Sequence, residues 1–96
     1  MILHTLNASP ATSTFSDCLR VIATGDALLL MGDGVYAAIA NTGPSALLQA
    51  SGAEIYVLGP DATAAGVNNL VEGATRVDMD GLVALTERFT RQQAWY

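Results

Sequence analysis

Apolar residues along this chain come in short runs, and the runs alternate between two periods. Ile2 to Leu6 is a short apolar stretch closed by Asn7-Ala8-Ser9-Pro10, as expected of a first strand. Phe15, Cys18, Leu19 and Ile22 then fall at i, i+3, i+4, i+7, the spacing of a helix with one buried stripe. Thr14, with Asp17 three residues on, predicts a capping-box start for that helix, and Gly25-Asp26 stops it. Ala27 to Met31 is continuously apolar, which predicts a strand covered on both faces. After the Gly32-Asp33-Gly34 turn, the pattern predicts a short helix over Val35–Ala40 and a second over Pro44–Ala50, with Gly52 just past its end. Glu54–Leu58 is a third strand, Asp61–Ala65 one helical turn, and Thr75–Asp78 a weak fourth strand. Asp80 is placed to cap a last helix that carries Leu82, Leu85 and Phe89 on one face and Glu87 and Arg91 at i, i+4 on the other. Trp95-Tyr96 ends the chain as a tail.

Strands that alternate with helices predict right-handed crossovers and a mostly parallel four-stranded sheet in a three-layer α/β/α arrangement, with residues 1–96 as a single domain. Composition sharpens this picture. Hydrophobic residues make up 51% of the 96, but charged residues only 14%, against about 25% in an ordinary soluble domain. A chain this small has a high surface-to-volume ratio and should need more charge, not less. Either its surface is rich in alanine, or much of it is covered by other subunits. The apolar content excludes disorder, and Gly25, Asp26, Gly32, Asp33 and Gly34 interrupt the most apolar region before it could span a membrane. The net charge is −5 with four scattered arginines and no lysine, which disfavours direct nucleic-acid contact and anionic membrane surfaces. One cysteine cannot form an internal disulfide, and the opening residues lack a signal-peptide pattern, so a cytoplasmic location is expected.

Ligands of open parallel sheets bind beyond the carboxyl ends of the strands, here the loops Asn7–Thr14, Gly32–Val35 and Gly59–Asp61. Gly32-Asp33-Gly34-Val35-Tyr36-Ala37 has the form of a dinucleotide fingerprint, but it follows the second strand rather than the first. Its plainer reading is a tight turn in which glycine relieves backbone strain. The hydroxyls Thr5, Ser9, Thr12, Ser13 and Thr14 occupy the place of a flavin-phosphate loop, yet they are also ordinary loop and cap residues. With one histidine and one cysteine there is no ligand cluster for a metal, and no cofactor is expected. His4, between apolar neighbours, suits a strand residue whose ring nitrogens are satisfied locally. Cys18 is the one candidate nucleophile. A position near the first turn of a helix favours its thiolate; Asp17 and the apolar stripe favour a buried thiol that serves as a small hydrophobe.

Taken together, Ile2-Leu3-His4-Thr5, Asn7, Ser9-Pro10, Gly25-Asp26, Asp33-Gly34-Val35, Ala37-Ala38, Tyr56-Val57-Leu58, Asp61, Ala65-Gly66, Val77-Asp78, Leu82-Val83, Leu85-Thr86 and Gln93-Ala94-Trp95 resemble, in order and nearly end to end, the TusB/DsrH family of sulfur-relay proteins. The resemblance implies a DsrEFH-like fold with flavodoxin-like strand order. It also implies assembly into a heterohexamer with TusC/DsrF-like and TusD/DsrE-like paralogues. Such a complex takes persulfide sulfur from a TusA-like donor and passes it through a TusE-like acceptor toward 2-thiolation of the tRNA wobble uridine. In the related DsrH-like branch the complex serves sulfur oxidation. In either branch the main sulfur-carrying cysteine sits on another subunit, so Cys18 is expected as an auxiliary persulfide site or a merely retained residue; the alternative is a DsrH-like subunit in sulfur oxidation with an active Cys18 persulfide, and either carrier role would react by thiol–persulfide exchange as a thiolate. A stand-alone small-ligand module built on the Gly32-Asp33-Gly34 turn is the remaining alternative.

Overall fold

The computed structural model describes residues 1–96. Five strands, β1 (Leu3–Leu6), β2 (Ala27–Leu30), β3 (Glu54–Leu58), β4 (Thr75–Val77) and β5 (Gln92–Trp95), form one sheet in the order β4-β3-β2-β1-β5. Every neighbouring pair is parallel. Helices α1 (Ser13–Val21), α2 (Gly43–Ala50), α3 (Gly59–Ala64) and α4 (Met79–Arg88), with a 3₁₀ segment over Gly32–Ala38, make the connections.

The strand order explains the layers. From β1 through β4 the chain steps one way across the sheet, so right-handed crossovers put α1, the 3₁₀ segment, α2 and α3 on one face. Only the last crossover steps back, past three strands to the far side of β1, and it puts α4 on the opposite face. The apolar alternation follows. Leu6, Leu28, Leu30, Ile55 and Val57 enter a larger core with Phe15, Cys18, Val35, Leu48 and Ala62. Leu3, Ala27, Leu29 and Leu58 face a smaller one, closed by Leu85 and Phe89 of α4. One helix over five strands is thin cover, and it leaves Met79 and Val83 of α4 57% and 48% exposed.

Several elements differ from the sequence expectation. The sheet has five strands rather than four, because Gln92–Trp95 pairs along β1 instead of ending as a tail. Gln92, Gln93 and Ala94 are exposed, so this edge strand is held by backbone pairing and carries no apolar signature. Its placement also replaces the flavodoxin-like order, in which the second strand, not the last, crosses to the far side of β1. Thr14 does not cap α1. The helix begins at Ser13, with Thr12 at the N-cap position, and the Thr14 hydroxyl donates to the Tyr96 carbonyl instead. Asp17 pairs with Arg20 on the outer face of α1. The reciprocal capping box belongs to α2, between Thr42 and Ser45. α4 is capped by Asp78 rather than Asp80; the Asp78 Oδ1 accepts the Gly81 N–H at 2.8 Å. Arg91 lies past the end of α4, so Glu87 has no partner there, and Arg88 reaches Glu54 at 2.8 Å.

Candidate functional site

Helix α3 leaves the end of β3 on one face and α4 leaves the end of β4 on the other, so the strand ends part between β3 and β4. At such a switch point open α/β sheets hold ligands. An open crevice of about 560 Å³ lies there, lined by Gly59, Pro60, Thr63, Arg76, Val77 and Asp78. Arg76, on β4, donates to the Gly59 carbonyl and the Thr63 hydroxyl, so its guanidinium braces the wall. The loop after β3 is a site expected from the sequence; Arg76 is not, because β4 is only three residues long and its neighbours carry no motif.

The glycine-rich turn after β2 is explained by packing. Gly32 has φ +52°, and a Cβ there would run into the Asn7 side chain. A Cβ on Gly34 would strike the Leu6 carbonyl oxygen, since the segment passes directly over the end of β1. Gly32 N–H also donates to Asp61 Oδ2 at 2.7 Å, which ties the turn to α3. The segment that follows is 3₁₀, not α-helix, and the hollow it shares with Tyr36, Asp61 and Ala64 is about 250 Å³. That is below the ~300–1,000 Å³ of ordinary ligand pockets, and the turn does not open the α-helix on whose N-terminus a dinucleotide's pyrophosphate sits.

Cys18 is wholly buried in the larger core, on the stripe with Phe15. Burial pushes its thiol up to about 12, so at neutral pH it is protonated and sealed from solvent. No other thiol is present to exchange with it.

A buried polar network joins the first strand to the last. His4 is fully buried, and its Nε2 lies 3.0 Å from Asp26 Oδ2. The Trp95 indole N–H donates to His4 Nδ1 at 3.1 Å. An indole can only donate, so Nδ1 must be the bare nitrogen and Nε2 must carry the hydrogen that Asp26 accepts. Asp26 also accepts the Ile2 N–H at 2.9 Å and the Ala23 N–H at 3.1 Å. Burial alone would raise the Asp26 carboxyl, but hydrogen bonds from Ala23, His4 and Ile2 outweigh it and hold the group below the usual carboxylate range. The requirement that His4 find local partners is met, though by two residues the sequence did not single out.

The geometry thus defines a small all-parallel α/β protein whose only thiol is a core residue and whose polar clusters serve the fold. The profile described as "DsrH like protein" matches residues 8–92. The chain is 38% identical to Protein TusB of Pectobacterium parmentieri and 39% identical to Protein TusB of Klebsiella pneumoniae strain 342, each over 95 residues, covering 98% of this chain and all of the relative. Among solved structures it is similar to the ychN protein of E. coli, with a TM-score of 0.80, 16% identity and 97% of both chains covered, a likeness of fold. The chain belongs to the DsrH-like family, with relatives named TusB along its whole length.

Proposed function

We propose that this chain, folded as one domain over residues 1–96, is a cytoplasmic subunit of a sulfur-relay complex that passes persulfide sulfur toward 2-thiolation of the tRNA wobble uridine. It stands in a heterohexamer with TusC-like and TusD-like paralogues, and a TusA-like donor and TusE-like acceptor engage the complex rather than this subunit. The observation that carries the reading is the end-to-end relationship to proteins named TusB, joined to a fold whose sole sulfur is buried and protonated. The relatives' names favour the tRNA branch over sulfur oxidation.

The role is that of an auxiliary or scaffolding subunit. Burial of Cys18 supports its structural reading over that of an auxiliary persulfide carrier. Low charge and exposed Met79, Val83 and Leu47 support a surface shared with other subunits. An acidic chain whose Arg20, Arg76 and Arg88 are engaged by its own residues fits a relay in which another subunit meets the tRNA. Native mass spectrometry of the chain co-expressed with its paralogues tests the assembly. A complex containing all three subunits is expected; a monomer beside an intact complex of the other two would refute it.

A further inference from the structure

We propose that Trp95, His4 and Asp26 form a proton-sensitive latch that holds β5 on the sheet. β5 is the outermost strand, and Trp95 is its only side chain packed against the larger core. Its other residues, Gln92, Gln93 and Ala94, are exposed. Apart from the backbone ladder and two exposed tethers, Gln92 Nε2 on the Thr86 carbonyl and the Thr14 hydroxyl on the Tyr96 carbonyl, the strand is anchored by one indole ring and by the bond from that indole to His4 Nδ1.

That bond exists in only one protonation state of the ring. A proton taken up by His4 must go to Nδ1, since Nε2 already carries one, and it turns the acceptor of the Trp95 hydrogen bond into a second donor. Two N–H groups would then face each other across 3.1 Å, one of them on a fully buried ring. Which side yields follows from the other partners. Asp26 is fixed by the Ile2 and Ala23 N–H groups and gains an ion pair from an imidazolium, so the ring stays and the indole at the sheet edge moves. The other neighbours of the ring do not compensate. The residues beside it in register, Leu28 on β2 and Gln93 on β5, are uncharged. From α1 the group on this face is the Cys18 thiol, which is protonated, while Asp17 and Arg20 pair with each other on the outer side. Once Trp95 is out, β5 loses its only anchor in the core, and with only exposed tethers left the outer edge of β1 opens to another strand.

The test is a pH titration of the uniformly ¹⁵N-labelled full chain by NMR between pH 8 and pH 5. At pH 8 the His4 ring should show the Nε2–H tautomer. As the ring protonates, the Trp95 indole resonance should move with the same midpoint. The Asn7 amide, which donates to the Trp95 carbonyl, should exchange about tenfold faster than its intrinsic pH dependence allows. In Trp95→Phe the Asn7 amide should lose that coupling to the ring. An Nδ1–H tautomer at pH 8, a ring that stays neutral down to pH 5, or protonation that leaves the indole resonance unmoved in the unaltered chain would each overturn the proposal.

Discussion

The reactivity of Cys18 separates a scaffold from a sulfur carrier, and its size can be worked out from the structure. At pH 8 an ordinary thiol of pKa about 8.5 is roughly one-quarter thiolate. A thiol pushed up to about 12 is roughly one part in ten thousand thiolate, a loss of about 2,000-fold in the reactive species. A more basic thiolate is intrinsically a better nucleophile, and a Brønsted slope of about 0.45 over that difference returns roughly 40-fold. Ionisation alone therefore slows Cys18 by about 50-fold relative to the unfolded chain. Because the sulfur is wholly buried, reaction also needs a local opening, which adds to that factor. The assay is the rate of labelling by an aromatic disulfide at pH 8 for the native chain against the same chain in guanidinium, with intact-mass analysis after incubation with a persulfide donor. The native rate should be at least about 100-fold lower, and no sulfur adduct should accumulate. Labelling within tenfold of the unfolded rate, or an adduct lost in Cys18→Ser, would refute the reasoning and restore Cys18 as a carrier. The same shift sets a sign for alkaline stability. A raised thiol favours the folded state fully below the unfolded value and loses that contribution as pH rises toward 12, so the native chain should lose about 2 kcal/mol more than Cys18→Ala between pH 8 and pH 10.

Other perturbations are also informative. Asp26→Ala strips acceptors from His4, Ile2 and Ala23 together and should cost about 3–5 kcal/mol by denaturant unfolding, a large share of the whole for a domain this size; a loss under about 1 kcal/mol would mean the network contributes little. Because the Asp26 carboxyl is held low, its contribution is present above about pH 4 and fades as pH falls below that, so the unaltered chain should lose its advantage over Asp26→Asn in acid. Gly34→Ala should destabilise by about 1–3 kcal/mol through the Leu6 carbonyl, whereas Gly43→Ala, with open space around it, should be neutral or mildly stabilising; equal effects would contradict the packing account of the turn. Asp78→Ala should cost about 1 kcal/mol through the lost α4 cap, and Asp80→Ala less, as thermal melts can compare.

The layered α/β architecture was legible because β2 is apolar throughout, as a strand buried between helices must be, and β1 and β3 each put an apolar residue on both faces. β5 was not legible: an edge strand of Gln92, Gln93 and Ala94 needs only backbone partners, and these become available once β1 is in place. The cap of α1 was misplaced because Thr14 and Asp17 satisfy the local motif, but the terminal strand supplies Thr14 with a carbonyl 82 residues away. The stretch after Gly32 tightened from α-helix to 3₁₀ because its glycines must pass close to Leu6 and Asn7, a tertiary constraint with no local signal. The apolar side of Cys18 was readable from its stripe with Phe15, whereas the height of its thiol depends on how completely the core closes over it. Low charge on a small chain is plain from composition, whereas the places of the exposed apolar residues Val21, Leu47, Met79 and Val83 depend on the fold.

The role in thiolation is open to a direct measurement: delete the gene for this chain in its host and quantify 2-thiouridine in tRNA nucleosides by liquid chromatography and mass spectrometry. Loss of the wobble thiolation is expected, restored by the unaltered chain and equally by Cys18→Ala. Unchanged 2-thiouridine in the deletion strain would contradict it.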